Sequence, residues 1–156
     1  MNTTPLLRRC AAELLGTGLL VAVVVGSGIA AQRLSASDVG LQLLENSLAT
    51  ALGLAVLIMT FQTVSGSHFN PLVTFADRAL GADLGPRAIV AYVASQIIGA
   101  IGGAVVANAM FVTATSISHT DRLTPGHLLG EVVATAGLIL LIFALARTGR
   151  VAVVGP

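Results

Sequence analysis

Long apolar runs alternate with short polar stretches along most of this chain. Four runs carry few charged side chains: residues 10–31, 46–64, about 87–113 and about 127–147. A helix needs roughly 20 apolar residues to cross the hydrocarbon core of a bilayer, which is about 30 Å thick. The pattern therefore predicts an all-α membrane protein with four spanning helices.

The first run has a second interpretation as a secretory signal. Arg8 and Arg9 precede it, and residues 28–30 (GIA) resemble a cleavage site. Its apolar stretch exceeds the roughly 7 to 15 residues of a signal core, and Glu13 interrupts its start. A retained spanning helix is therefore favoured.

Composition agrees with a membrane protein. Hydrophobic residues make up 55% of the chain and charged residues 10%, whereas about a quarter of the residues of a soluble domain are charged. The mean hydropathy is +0.92. The net charge of +1 predicts no nucleic-acid partner, and the lipid bilayer is the expected surrounding.

Arginine placement predicts the orientation, because cytoplasmic loops carry an excess of basic residues. A cytoplasmic N-terminus leaves only Arg33 and Arg122 outside and makes residues 32–45 and 114–126 outer loops. The remaining arginines then lie inside: Arg8, Arg9, Arg78, Arg87, Arg147 and Arg150.

The connection between the second and third runs, residues 65–86, is too long and too apolar for an ordinary turn. We expect it to re-enter the membrane, where non-helical backbone is tolerated only inside protein or along a water-filled cavity. Asn70 suits a helix N-cap and Pro71 suits the first helical position, so a short helix should restart there and run towards Gly81. Alone, the Asn-Pro pair marks an ordinary cap. At membrane depth, its helix aims a positive dipole end into the cavity, which disfavours cations.

The stretch SGSHFNPLVT, residues 65–74, resembles the first signature of the aquaporin or major intrinsic protein family, S-G-x-H-x-N-P-A-V-T. Residues 11–21 and 92–104 resemble the first and third helices of that family. The resemblance implies an aquaporin-like bundle in the cell membrane that passes water or small neutral solutes, such as glycerol, related polyols or metalloid acids. It also implies a homo-oligomer, a tetramer in this family, without a cofactor.

The resemblance assigns functional residues in the signature and the helices around it. Solutes would pass along backbone carbonyls and the Asn70 amide, and Leu72, which replaces the usual alanine, is expected to narrow the pore or shift its choice of solute. The pore-lining residues implied are Gly66, Ser67, His68, Asn70, Pro71 and Leu72.

Polar residues within the helices receive structural and selective roles. Glu13, Gln96 and Glu131 are expected to hold re-entrant segments by hydrogen bonds, with a proton relay disfavoured. His68 is expected to pack and hydrogen-bond rather than act as a titrating switch. The selectivity position of helix two falls on Thr50, Ala51 or Leu52. None of these is aromatic, which favours a passage wider than that of a strict water channel.

A possible internal repeat links the first and fourth runs. Glu13 with Thr17 recurs as Glu131 with Thr135, on helices that run in opposite directions. Chance similarity between two apolar helices is the alternative. We expect one aquaporin-like domain over residues 1–156, with a first repeat at about 10–113 and the start of a second at about 127–147.

Asn-Pro does not recur after Pro71, so the chain is expected to be truncated before the second half-helix. A non-conducting remnant or an assembly partner of intact channels is therefore the alternative to a channel. No nucleophile with a base, carboxylate pair, phosphate loop or metal-ligand spacing is apparent, which predicts neither an enzyme nor a metal site. An ion-coupled carrier is disfavoured, because the helix interiors lack charged pairs.

Overall fold

The computed structural model describes residues 4–117 and 123–147, and this part of the chain is helical and contains no strand. Its helices are α1 (Leu6–Leu34), α2 (Val39–Ser65), α3 (Pro71–Ala79), α4 (Pro86–Met110) and α5 (Pro125–Arg147). By length and composition, α1, α2, α4 and α5 can each cross a membrane. The prediction of an all-α fold with four spanning helices is confirmed.

Helix α2 begins seven residues earlier than the predicted start at residue 46, so the predicted bounds of the first connection, residues 32–45, were wrong, and it is confined to residues 35–38. The Asp38 carboxylate accepts a hydrogen bond from the Leu41 backbone nitrogen at 2.9 Å and caps the helix. Gln42 and Glu45 then bond to Ser35 at 2.8 and 2.9 Å, which holds the short turn at the end of α1. Side chains from within the predicted loop therefore build the first turns of α2.

Helix α4 ends at Met110, three residues before the predicted limit at residue 113. Val112 has a left-handed backbone with φ of 51°, which an α-helix does not accept. Arg33 of α1 donates to the Phe111 carbonyl at 2.6 Å and so satisfies an acceptor at this helix end. Residues 118–122 of the predicted second outer loop lie outside the described residues.

Close packing between α1 and α4 depends on glycine. A Cβ atom on Gly99 would meet the Leu14 carbonyl, and one on Gly103 would overlap the Gly18 carbonyl. The two backbones therefore touch directly, as small residues permit in membrane helices. Helix α1 also packs against α2, and the short α3 contacts α4.

The outer faces of these helices are apolar. Val56, Ile98 and Ile101 are each more than 60% exposed. Such exposed faces suit contact with lipid rather than water. The chain forms two compact units, Met1–Thr115 with α1 to α4 and Ser116–Pro156 with α5.

Candidate pore-lining site

The α2–α3 loop, residues 66–70, has an unusual backbone. Gly66, Ser67 and Phe69 adopt left-handed conformations with φ of 93°, 52° and 49°. Glycine takes such angles freely and here ends α2, with its nitrogen bonded to the Gln62 carbonyl at 2.9 Å. Ser67 and Phe69 are strained, and such strain persists only where surrounding contacts enforce it.

Glu13 supplies those contacts from α1. Its side chain is fully buried, and its carboxylate accepts hydrogen bonds from the backbone nitrogens of His68 at 3.0 Å and Phe69 at 2.8 Å. The Ser65 hydroxyl and the Gln96 amide donate to the same carboxylate at 2.6 and 2.8 Å. The four donors offset the cost of burying this carboxylate, and they fix the loop against both α1 and α4.

Thr74 extends this network to the start of α3. Its hydroxyl receives a hydrogen bond from the Gln96 amide at 3.1 Å and lies 3.2 Å from the Asn70 carbonyl, to which it donates. The Nδ1 atom of His68 lies 3.0 Å from the same hydroxyl. Thr74 itself is fully buried, so α3 is tied to α4 and to the loop through one side chain.

The His68 ring has a second partner on α3. Its Nε2 atom lies 3.3 Å from an oxygen of the Asp77 carboxylate, which is 31% exposed. The His68 ring thus links the α2–α3 loop to α3 through Asp77 as well as through Thr74. The His68 side chain is only 8% exposed, in agreement with a packing and hydrogen-bonding residue.

Asn70 begins α3 as an N-cap. Its side-chain oxygen accepts a hydrogen bond from the Leu72 backbone nitrogen at 2.8 Å, and Pro71 occupies the first turn. The N-terminus of α3 therefore lies directly beside the α2–α3 loop. The positive end of the helix dipole points at this loop, where it disfavours cations. Leu72 is 54% exposed within the described residues.

Tyr92 and Arg9 are part of the site but were missed by the sequence reasoning. The Tyr92 hydroxyl donates to the Ser65 carbonyl at 2.8 Å and accepts from Arg9 Nε at 2.7 Å. Each residue lies one helical turn before a predicted one, Arg9 before Glu13 and Tyr92 before Gln96. That matched spacing of four residues on two apolar helices was the signal available in the sequence.

The three selectivity candidates differ in their surroundings. Leu52 is 68% exposed and Ala51 is also exposed. The Thr50 hydroxyl oxygen is buried without a hydrogen-bond partner among the described residues. Of the three, Thr50 alone therefore turns a polar group inward. Glu131 lies on α5, in the second unit.

A half-open cavity of about 360 Å³ lies at the loop. It is lined by residues from α1, the end of α2, the α2–α3 loop, α3 and the α3–α4 connection: Arg9, Ser65, Gly66, His68, Asp77, Ala82, Asp83 and Leu84. Within residues 4–117 and 123–147, no group of three or more His, Cys, Asp or Glu side chains is arranged to hold a metal ion.

A family match spans the whole chain, including the α2–α3 loop and the residues that contact it. Residues 1–156 match the sequence model of the family described as Major intrinsic protein. The chain belongs to the major intrinsic protein family. Proteins of this family are known as membrane channels rather than enzymes, and this major intrinsic protein is accordingly a multi-pass membrane protein.

Similar major intrinsic proteins come from bacteria and plants. Aquaglyceroporin AqpS of Rhizobium meliloti (strain 1021) is 46% identical over 154 residues, which cover 98% of this chain and 65% of the relative. A probable aquaporin TIP-type of Medicago truncatula is 34% identical over 159 residues, 93% of this chain and 60% of the relative. The glycerol uptake facilitator protein of Escherichia coli (strain K12) is 38% identical over 99 residues, 64% of this chain and 34% of the relative. The chain thus spans less than two thirds of each of these proteins.

Proposed function

We propose that the protein containing this chain is a passive channel for water and small neutral solutes of the glycerol type. The observation that carries the proposal is the α2–α3 loop, whose backbone nitrogens at His68 and Phe69 are turned onto Glu13. Because these two backbone N–H groups point towards α1, carbonyls of the loop are free to point away from α1. A row of carbonyls beside a helix N-terminus suits neutral, hydrogen-bonding solutes.

The same geometry supports roles for the signature residues. The carbonyls of Gly66, Ser67 and His68 would accept hydrogen bonds from a passing solute. Asn70 uses its side-chain oxygen to cap α3, which leaves its NH₂ group to donate to the solute. The dipole of α3 would repel cations at the same point.

The preference for a glycerol-type solute rests on helix α2. Thr50, Ala51 and Leu52 are the α2 candidates for the selectivity position, and none of them is an aromatic residue that would narrow the passage. A relative at 46% identity bears the name aquaglyceroporin. Both observations favour a passage wider than that of a strict water channel.

Further proposals concern organisation. The protein would lie in the cell membrane with a cytoplasmic N-terminus and assemble as a homo-oligomer. One aquaporin-like domain would begin with a first repeat at about 10–113, and Glu131 would support a second repeat as Glu13 supports the first. The Glu and Thr spacing shared by α1 and α5 supports this organisation.

Reconstitution into vesicles tests the channel. The chain, with any continuation that its gene encodes, would be purified and placed in vesicles at known density. We expect osmotic water flow and glycerol uptake above those of empty vesicles, without a proton or sodium leak. Folded protein that conducts neither solute would overturn the proposal in favour of a non-conducting assembly partner.

A further inference from the structure

Two residues of α1, one helical turn apart, hold the α2–α3 loop and Ser65, the residue before it, by different hydrogen bonds. Glu13 accepts from the backbone nitrogens of His68 and Phe69, towards the end of the loop. Arg9 instead donates to the Tyr92 hydroxyl, which donates to the carbonyl of Ser65, the last residue of α2. Glu13 thus contacts donors of the loop directly, whereas Arg9 reaches the Ser65 carbonyl through Tyr92.

The direction of the Arg9–Tyr92–Ser65 chain is set by chemistry. Arginine has only hydrogen-bond donors, so the Tyr92 oxygen must accept from it. The hydroxyl hydrogen is then left for the Ser65 carbonyl, 2.8 Å away. Tyr92 is fully buried, so water does not compete for this hydrogen. A charged donor also strengthens the second bond by polarising the hydroxyl group.

The Arg9–Tyr92–Ser65 hydrogen bonds act on the loop at Ser65. The last carbonyls of a helix lack partners within the helix, and the Tyr92 hydroxyl satisfies one of them. The backbone turns left-handed directly afterwards, at Gly66 and Ser67. The Ser65 hydroxyl also accepts from the Ser67 nitrogen at 3.1 Å. A displaced Ser65 would therefore displace the first residues of the loop.

We propose that Arg9 is a positioning residue that holds the Ser65 carbonyl, at the start of the α2–α3 loop, through the Tyr92 hydroxyl, while Glu13 holds the Ser65 hydroxyl and the end of the loop. The proposal rests on the proposed function only in that the loop lines the pore. The contrary view is that Arg9 merely places a charge at the cavity that it shares with Asp77 and Asp83. In that view loss of Arg9 would leave the Ser65 carbonyl and the Ser67 amide undisturbed.

The composition of the chain allows the Tyr92 hydroxyl to be observed selectively by spectroscopy. Tyr92 is the only tyrosine, and tryptophan is absent. Carbon-13 labelling of tyrosine therefore yields one phenol signal in the full chain in nanodiscs, and that signal reports hydrogen bonding at the hydroxyl. We expect Arg9→Met to shift this signal, Arg9→Lys to shift it less, and Arg8→Met to leave it unchanged. Arg8 is the matched control, an adjacent exposed arginine.

Hydrogen exchange measures the effect on the loop. In Arg9→Met we expect the Ser67 amide to exchange about tenfold faster, in line with the loss of one charge-assisted hydrogen bond. Tyr92→Phe should give a similar increase in exchange rate. The double variant should add nothing to it, because both changes break the same series of hydrogen bonds. Helical circular dichroism verifies that each variant folds.

The outcomes separate this proposal from the channel proposal. An unchanged phenol signal in Arg9→Met, or additive effects in the double variant, would overturn the role of Arg9 whether or not the protein conducts. Coupled effects in a protein that fails to conduct would retain the role of Arg9 and reject the channel instead.

Discussion

The carboxylate of Glu13 lies 2.8 Å from the backbone nitrogen of Phe69, 56 positions further along the chain. Phe69 is left-handed at φ of 49°, a conformation that a bulky residue rarely adopts. The hydrogen bond that the Phe69 nitrogen donates to Glu13 of α1 offsets this strain. It also turns the loop amide towards the helix bundle, which gives the loop its orientation.

Removal of the Glu13 charge should destabilise the protein. Glu13→Gln places a donor NH₂ group among four donors, so at least one buried group loses its partner, at about 1–3 kcal/mol per group. We expect a loss of about 3 kcal/mol in the free energy of unfolding, measured by denaturing-detergent titration. Glu45→Gln, whose side chain accepts from Ser35, is the control and should change it by less than about 1 kcal/mol. Equal effects would contradict the role of Glu13.

Adjacent glycines on α4 offer a test of helix packing. Gly103→Ala should cost about 1–3 kcal/mol, because the new Cβ overlaps the Gly18 carbonyl. Gly102→Ala meets nothing within 4 Å and should be neutral or stabilise the helix by up to about 1 kcal/mol. The changes that the two substitutions make in the free energy of unfolding should therefore differ in sign or by more than about 1 kcal/mol. If they coincide, the close approach of α1 and α4 is wrong.

Asn70→Asp separates capping from conduction. Aspartate still caps α3, so stability should hold, but it lacks the NH₂ donor and adds a negative charge beside the helix N-terminus. We expect lower neutral-solute flux and a weaker barrier to cations in reconstituted vesicles. Asn108→Asp, near the end of α4, is the control. Unchanged flux with no cation leak would remove Asn70 from the pore.

Thr50→Phe should narrow the passage. If Thr50 is the selectivity position, an aromatic ring there reduces the room for glycerol more than for water, so the ratio of glycerol to water permeability should fall about tenfold or more, a barrier change of about 1.4 kcal/mol. Leu52→Phe lies at a 68% exposed position and should leave the ratio unchanged. The opposite pattern would assign selectivity to Leu52.

Cysteine labelling tests the orientation. In a Cys10→Ser background, a cysteine at Ser37 should react with an impermeant thiol reagent added outside, and one at Ala82 should not. Ser37 lies in the α1–α2 turn and Ala82 lines the cavity at the α2–α3 loop. External labelling at Ala82 with protection at Ser37 would reverse the orientation derived from the arginines.

Sequence reasoning correctly predicted the elements that interactions between neighbouring residues determine. Apolar runs of spanning length, the Asn70 cap and Pro71 at a helix start depend on neighbouring residues, and the structure has each of them. The predicted boundary of α2 was wrong, because the Asp38 cap and the Ser35 contacts outweigh the polar character of residues 35–45.

The sequence by itself determined that the chain crosses a membrane repeatedly and interrupts its helices before Asn70, because hydrophobicity and turn chemistry act over a few residues. Only the tertiary structure decided which side chains support that interruption. Arg9, Tyr92 and Asp77 meet the loop because α1, α3 and α4 pack around it, across separations of up to 83 positions. A hydrogen bond depends on distance and angle in space, and neither follows from the order of residues alone.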